Sequence, residues 1–188
     1  PEALVQFRRL YPDARVRIVE GMTSALLPMV RDETLDFALA VRPEKPESGL
    51  RFRPLIHDSL AIAVRKGHPL RNEQSLRNLK DAEWLSLDWV NPALNQVFSA
   101  AGIATPRSIT RCETFNSAFA LLATSDLVAA MPRRLLIGPF SRGVLQPVPV
   151  TDRMPTFTLC ITTRADAPLS RTASAMAKVV TSVARQIA

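Results

Sequence analysis

The chain has 188 residues, enough for one large domain or two small ones, and a chain of this size buries roughly 70% of its unfolded surface without staples. Its 47% hydrophobic and 22% charged residues suit a globular protein, and its two cysteines, Cys112 and Cys160, exclude a disulfide scaffold and a four-thiolate zinc site. The net charge of +7 comes from 24 basic residues, 20 Arg and 4 Lys, scattered singly or in pairs such as Arg8-Arg9 and Arg133-Arg134, which argues against a nucleic-acid-binding stripe.

Along the chain, strands and helices alternate. The opening PEALVQFRRLYPD has neither an initiator Met nor the apolar stretch of a signal peptide, so the chain is expected to begin inside an element. Leu4, Phe7, Leu10 and Tyr11 fall at helical spacing, and Tyr11-Pro12-Asp13 stops that helix. Arg15–Val19 alternates, apolar at Val16 and Ile18, and reads as a strand. After Glu20-Gly21, Thr23 or Ser24 caps a helix to about Asp32, with Pro28 placed near its first turn. Leu35–Val41 is nearly continuously apolar and predicts a strand covered on both faces, completing a right-handed βαβ arrangement.

Arg42–Gly49 is a loop, and Phe52–Val64 a strand ending at the turn Lys66-Gly67-His68-Pro69. A second alternation follows: strand Trp84–Leu87, a helix capped by Asn91, strand Ser108–Cys112, helix Phe115–Thr124, and strands Leu127–Met131, Val144–Val150 and Thr156–Thr163. Leu169, Ala173, Met176, Val180, Val183 and Ile187 give the final helix, Ser170–Ile187, the strongest periodic signal. The longest apolar runs, such as Leu135-Leu136-Ile137, are far short of the roughly 18 residues of a membrane span.

Catalytic chemistry has little to stand on. His68 sits in a turn and reads as a turn hydrogen-bonder, and His57 reads as a partly exposed strand residue; neither has metal-ligand spacing. Cys112 and Cys160 lie at or inside apolar strands and read as small hydrophobes. No GxSxG, GxGxxG or P-loop occurs, so the expectation is no enzyme, no cofactor and no metal. What stands out is two hydroxyl-rich helix entries, Glu20–Ser24 and Cys112–Ser117, whose free N–H groups and dipoles would suit a small anion if they faced each other across a crevice.

These segments resemble a known family. The pattern from Phe7 to Gly21, the run Leu26–Val41, the strand before Gly67-His68-Pro69-Leu70, Ala123–Leu135 and Ala167–Ala173 are together similar to the effector-binding domain of LysR-type transcriptional regulators, over essentially the whole chain. The resemblance implies an α/β fold of two Rossmann-like subdomains joined by two crossover strands, periplasmic-binding-protein-like. Subdomain I would be residues 1–62 plus 159–188, and subdomain II residues 63–158. Hinge residues would be Leu60, Ala61, Ile62 and Ala63 on one crossing, and Leu159 and Cys160 on the other. The family's winged helix-turn-helix and first strand do not match any part of the chain, and Thr124-Ser125-Asp126 stands where many members have a glycine-rich turn.

The function so implied is sensing, with no catalysis: a small organic effector, anionic and close to an aromatic acid or sulfonate, held between the subdomains. Candidate contacts are Thr23, Ser24, Thr114, Phe115 and Asn116, with Ser86 and Met131 as outer wall. The partner is a homodimer or tetramer, its seam on Leu26, Met29 and Val30 of one helix against Met176, Val180 and Val183 of the last. DNA would be bound only through a domain outside this chain, in the cytoplasm, with no membrane. The competing reading is a periplasmic solute-binding protein of a transport system, which shares the fold.

Overall fold

In a computed structural model, which describes residues 1–45, 47–87, 91–106 and 109–187, the chain divides between two units: Pro1–His57 with Phe157–Ala188, and Asp58–Thr156. The first unit holds helices α1 (Glu2–Leu10), α2 (Thr23–Arg31) and α6 (Arg171–Ile187), strand β1 (Ala38–Val41), the first part of β2 (Leu50–Arg65) and most of β7 (Thr156–Arg164). Leu26, Leu27 and Val30, spaced along one face of α2, pack with Ala38, Ala40 and Leu50, and this is the unit's apolar centre. Helix α1 buries Phe7, which stacks on Tyr11 with ring centroids 5.1 Å apart, and lies beside α6. Helix α6 buries Ala173, Ala177 and Ala184.

Three expectations fail in this unit, each for a physical reason. Arg15–Val19 forms no strand among the described residues: it has no ladder to join, and it turns Val19 toward the core while Ile18 is 72% exposed. The inward face is therefore one residue out of step with the reading, and a one-residue slip moves every side chain to the other face. The strand expected at Leu35–Val41 is the shorter β1, at the sheet edge and antiparallel to β7 (Ala38↔Thr162 to Val41↔Leu159), so Leu39 is exposed and no parallel βαβ pair forms. Pro28 is the sixth residue of α2, past its first turn, so the carbonyl of Ser24 lacks its usual helical donor.

The second unit contains β3 (Trp84–Leu87), α3 (Asn91–Ala100), β4 (Ile109–Cys112), α4 (Phe115–Thr124), β5 (Val128–Pro132), α5 (Arg133–Ile137) and β6 (Leu145–Pro147), with the end of β2. Here the predicted alternation holds. Strand β3 is parallel to β4 (Trp84↔Ile109 to Leu87↔Cys112) and to β5 (Trp84↔Val128), while β2 runs antiparallel to β5 and to β6. Trp84 meets Phe98 edge-on at 5.2 Å and donates its indole N–H to Leu79 O at 2.9 Å, which satisfies the polar atom of a buried ring. Asn91, expected as the cap of α3, is its first helical residue.

The crossings differ from the expected hinge. Leu60, Ala61, Ile62 and Ala63 pair with Pro132, Met131, Ala130 and Ala129 and belong to the second unit's sheet; Leu159 and Cys160 pair with Val41 and Ala40 in the first. The chain changes unit earlier, at His57/Asp58 and Thr156/Phe157. All six residues are thus paired within the sheet of one unit or the other. Among the described residues no helix is long and apolar enough to cross a membrane.

Burial sets the energetic weight of single residues. Phe98→Ala removes a ring that is wholly buried against Trp84 and is expected to lower stability by about 3–5 kcal/mol. Ile137→Ala, on a residue 60% exposed, is expected to stay within about 0.5 kcal/mol. Urea midpoints monitored by circular dichroism measure both.

Candidate functional site

The three parallel strands of the second unit end together. Leu87 is in register with Cys112, and β5 finishes at Pro132 on the same side of the sheet. In open α/β sheets the carboxyl ends of parallel strands are where ligands are bound, because helix N-termini gather there. Each of these strands is followed by a helix, and α4 and α5 begin closest to their strand ends, after β4 and β5.

The entry to α4 is built by Thr114. Its extended backbone (φ −124°, ψ 150°) makes it the N-cap, and its Oγ1 accepts the Ser117 N–H at 3.2 Å while donating to Ser117 Oγ at 3.1 Å. The Thr-x-x-Ser spacing therefore leaves two linked hydroxyls at the positive end of a ten-residue helix. Asn116 is exposed beside them and Phe115 is half-buried. In the first unit, Thr23 and Ser24 do not cap α2: Met22 occupies the cap position and no side chain bonds the helix end. Thr23 is half-buried and Ser24 exposed.

Ser86 and Met131, expected as outer wall, lie inside the second unit. Ser86 is 5% exposed on a strand buried at all four positions, and its hydroxyl donates to Leu87 O at 3.4 Å. Met131 is buried on β5 opposite Ala61. Both sit on strands flanked by neighbours on either side. Of the proposed dimer seam, Leu26 and Val30 are likewise consumed by the first unit's core, whereas Met29, Met176, Val180 and Val183 are half-buried.

Sequence reasoning missed the start of α5. Asp58 accepts the backbone N–H of Arg134 at 3.3 Å through Oδ2 and that of Ser59 at 2.8 Å through Oδ1, tying β2 to this helix start. The signal available was Pro132-Arg133-Arg134 directly after a strand, which reads as scattered charge until the strand end is located.

The remaining titratable groups are structural. His68 is buried and its Nδ1 accepts the Leu70 N–H at 3.0 Å, so the proton resides on Nε2, which donates to Asp126 O at 3.0 Å. This is the turn role foreseen for it. The Asp126 carboxylate pairs with Arg65 at 2.6 Å, and the hydroxyls of Thr124 and Ser125 bond back to Ala120 O and Leu121 O. Thr124-Ser125-Asp126 thus closes the helix with side chains where a glycine would use backbone freedom. Burial pushes the Cys160 thiol up from its ordinary range, against a smaller opposing pull from Arg42, so it stays protonated. Among the described residues no three His, Cys, Asp or Glu side chains gather as a metal site.

Comparison with known proteins fits this geometry. The family model described as LysR substrate binding domain matches residues 1–185. The transcriptional regulator GalR of Pseudomonas putida is 30% identical over 155 residues, covering 80% of this chain and 39% of its own length. The chain therefore spans about two fifths of that relative, a transcriptional regulator. Among solved structures, the regulatory domain of Synechocystis CcmR in complex with 2-PG has a TM-score of 0.78 at 15% identity, covering 98% of this chain and 90% of that one. The effector-binding domain of QuiR in complex with shikimate has a TM-score of 0.76 at 17% identity, covering 99% of this chain and 90% of that one. These likenesses show the two-subdomain, periplasmic-binding-protein-like fold.

The two helix entries should respond differently to truncation. Thr114→Ala removes a cap bond and is expected to lower stability by about 1 kcal/mol, whereas Thr23→Ala, with no cap bond to lose, is expected to change it by a few tenths at most. Chemical denaturation of the two variants side by side checks the difference.

Proposed function

Because the chain belongs to the LysR substrate binding domain family, we propose that it senses a small organic anion, an aromatic carboxylate or sulfonate, on behalf of a LysR-type DNA-binding transcriptional regulator. The observation that carries this reading is the linked Thr114–Ser117 hydroxyl pair at the N-terminus of α4, placed at the carboxyl end of parallel strands. Such an end supplies donors and a positive dipole to an anionic group, and the adjacent Phe115 and Asn116 offer a ring face and an amide. Thr23 and Ser24 are the first unit's proposed contribution. The complexes of QuiR with shikimate and CcmR with 2-PG support a small acid as the ligand class. Kinship to a transcriptional regulator favours this reading over a transport solute-binding protein. DNA recognition, in the cytoplasm, is assigned to parts of the regulator outside these residues.

An effector moves a regulator only through a difference in its affinity for two arrangements of the protein. Residues that bond the effector are thus the place to test the reading. A thermal-shift panel of aromatic and aliphatic carboxylates and sulfonates is expected to yield a stabilising acid. Against that acid, Thr23→Ala and Asn116→Ala are each expected to cost about 1–1.5 kcal/mol of binding free energy by calorimetry. Unchanged affinity in the double variant overturns the site.

We also propose a homodimer, with its face moved from the Leu26–Val30 seam to apolar residues the first unit leaves exposed, Val5 and Leu10 on α1 with Val16 and Ile18 beyond it. Leu10, at 66% exposed, is the natural probe. Leu10→Glu is expected to shift sedimentation from dimer to monomer with the fold intact. A monomer produced instead by Met29→Glu, with Leu10→Glu still dimeric, restores the α2 seam.

A further inference from the structure

The first unit carries a cavity of about 290 Å³ between the start of β2, the end of β7 and the first turns of α6. Its polar lining is basic and hydroxylic. Arg51 and Arg53, two apart on one face of β2, meet Thr163 and Arg164 of β7, and Ser174 and Lys178, four apart on one face of α6. Pro168 and the half-buried Leu169 supply apolar surface, and among the described residues no carboxylate lines the space.

The guanidiniums are held but not neutralised. Arg51 Nη2 donates to Ala165 O at 3.1 Å and Arg53 Nη2 to Thr181 Oγ1 at 2.9 Å, both uncharged acceptors. Among the described residues Arg164 alone of the three has an acidic neighbour, Glu33 at 3.7 Å, and it also donates to Val30 O at 3.3 Å. Among the described residues Arg51, Arg53 and Lys178 have no carboxylate within ion-pair distance, although Arg31 and Arg65 elsewhere do. Like charges converging on one concavity repel, and an anion placed among them relieves that repulsion.

We propose that this cavity is a second ligand site, for a small organic anion with one anionic head, carboxylate or phosphate monoester, and an apolar body no larger than a single ring. The volume, at the low end of ligand pockets, sets the size limit, and the Pro168–Leu169 surface favours an apolar body over a bare ion. The fixed fork of Arg51 and Arg53 suits a planar or tetrahedral oxyanion, with Thr163 and Ser174 as neutral donors beside it. The site lies within the first unit and does not depend on the effector contacts proposed above.

The test is a proton–nitrogen NMR titration of the full chain with phenyl phosphate, with benzoate and with inorganic phosphate at constant ionic strength. Saturable shifts concentrated at Arg51, Thr163, Ser174 and Lys178 are expected with at least one of the two aryl anions, which then identifies the head group, at an affinity tenfold or more above inorganic phosphate. The variant Arg51→Gln/Lys178→Gln is expected to weaken that binding at least tenfold with an unchanged circular dichroism spectrum, and Lys178→Arg to retain it. Thr23→Ala/Asn116→Ala is expected to leave it untouched, which separates this site from the effector site. Shifts that never saturate and spread over exposed arginines of both units, or a double Gln variant that binds like the parent, overturn the proposal.

Discussion

One strand sets the terms for the rest of the molecule. β2 is sixteen residues long and serves two environments in turn: up to His57 it belongs to the first unit, and from Asp58 to the second. Its burial changes accordingly, from mixed exposure over Arg51–Ser59 to five consecutive buried residues, Leu60–Val64. Within that second stretch Leu60–Ala63 pair with β5, and Ala63 and Val64 pair with β6. The change of unit is therefore displaced toward the less buried residues before it, and Asp58, bonded to Ser59 and Arg134, marks the point where the second unit takes hold.

The same economy explains where the candidate site residues fall. A central strand such as β3 must bury both faces, so Ser86 is drawn under the surface along with Trp84, Leu85 and Leu87. Exposure returns only where the chain leaves the sheet. Thr114, Asn116 and Ser117 stand at such a departure, with the Ser117 N–H capped by Thr114 Oγ1 and the two hydroxyls linked at the helix start. Chemistry at this end of the sheet comes from turns into helices, with the strands beneath as scaffold.

What could be read in the sequence follows from which signals are local. Trp84–Leu87, Phe115–Thr124 and the final helix carry their pattern within their own residues and appear where the pattern puts them. His68 as a turn residue is likewise a local hydrogen-bond argument. The failures are questions of partnership. Whether Arg15–Val19 becomes a strand depends on a neighbour to pair with, and the alternation of Val16 and Ile18 says nothing about one. Whether Leu26 and Val30 face a second subunit depends on what Ala38, Ala40 and Leu50 leave uncovered, and they leave nothing. The five-residue α5 is too short to show a period at all.

The arginines illustrate the same divide between sequence and space. Along the chain they are dispersed, and dispersion reads as an ordinary solvated surface. Sheet pairing changes the distances. β7 neighbours β2, so residues 51 and 53 come beside 163 and 164, more than a hundred positions away, and the turn into α6 brings 178 to the same place. Few carboxylates followed: Glu47 pairs with Arg31 and Asp126 with Arg65, and among the described residues of this group Arg164 has Glu33 nearby while Arg51 and Arg53 keep neutral acceptors. A charge count even along the sequence is thus compatible with a locally concentrated field. It is the ladder that decides where the field gathers, and here it gathers in a concavity with apolar surface beside it, which is the condition under which a cationic group selects a ligand rather than a counterion cloud.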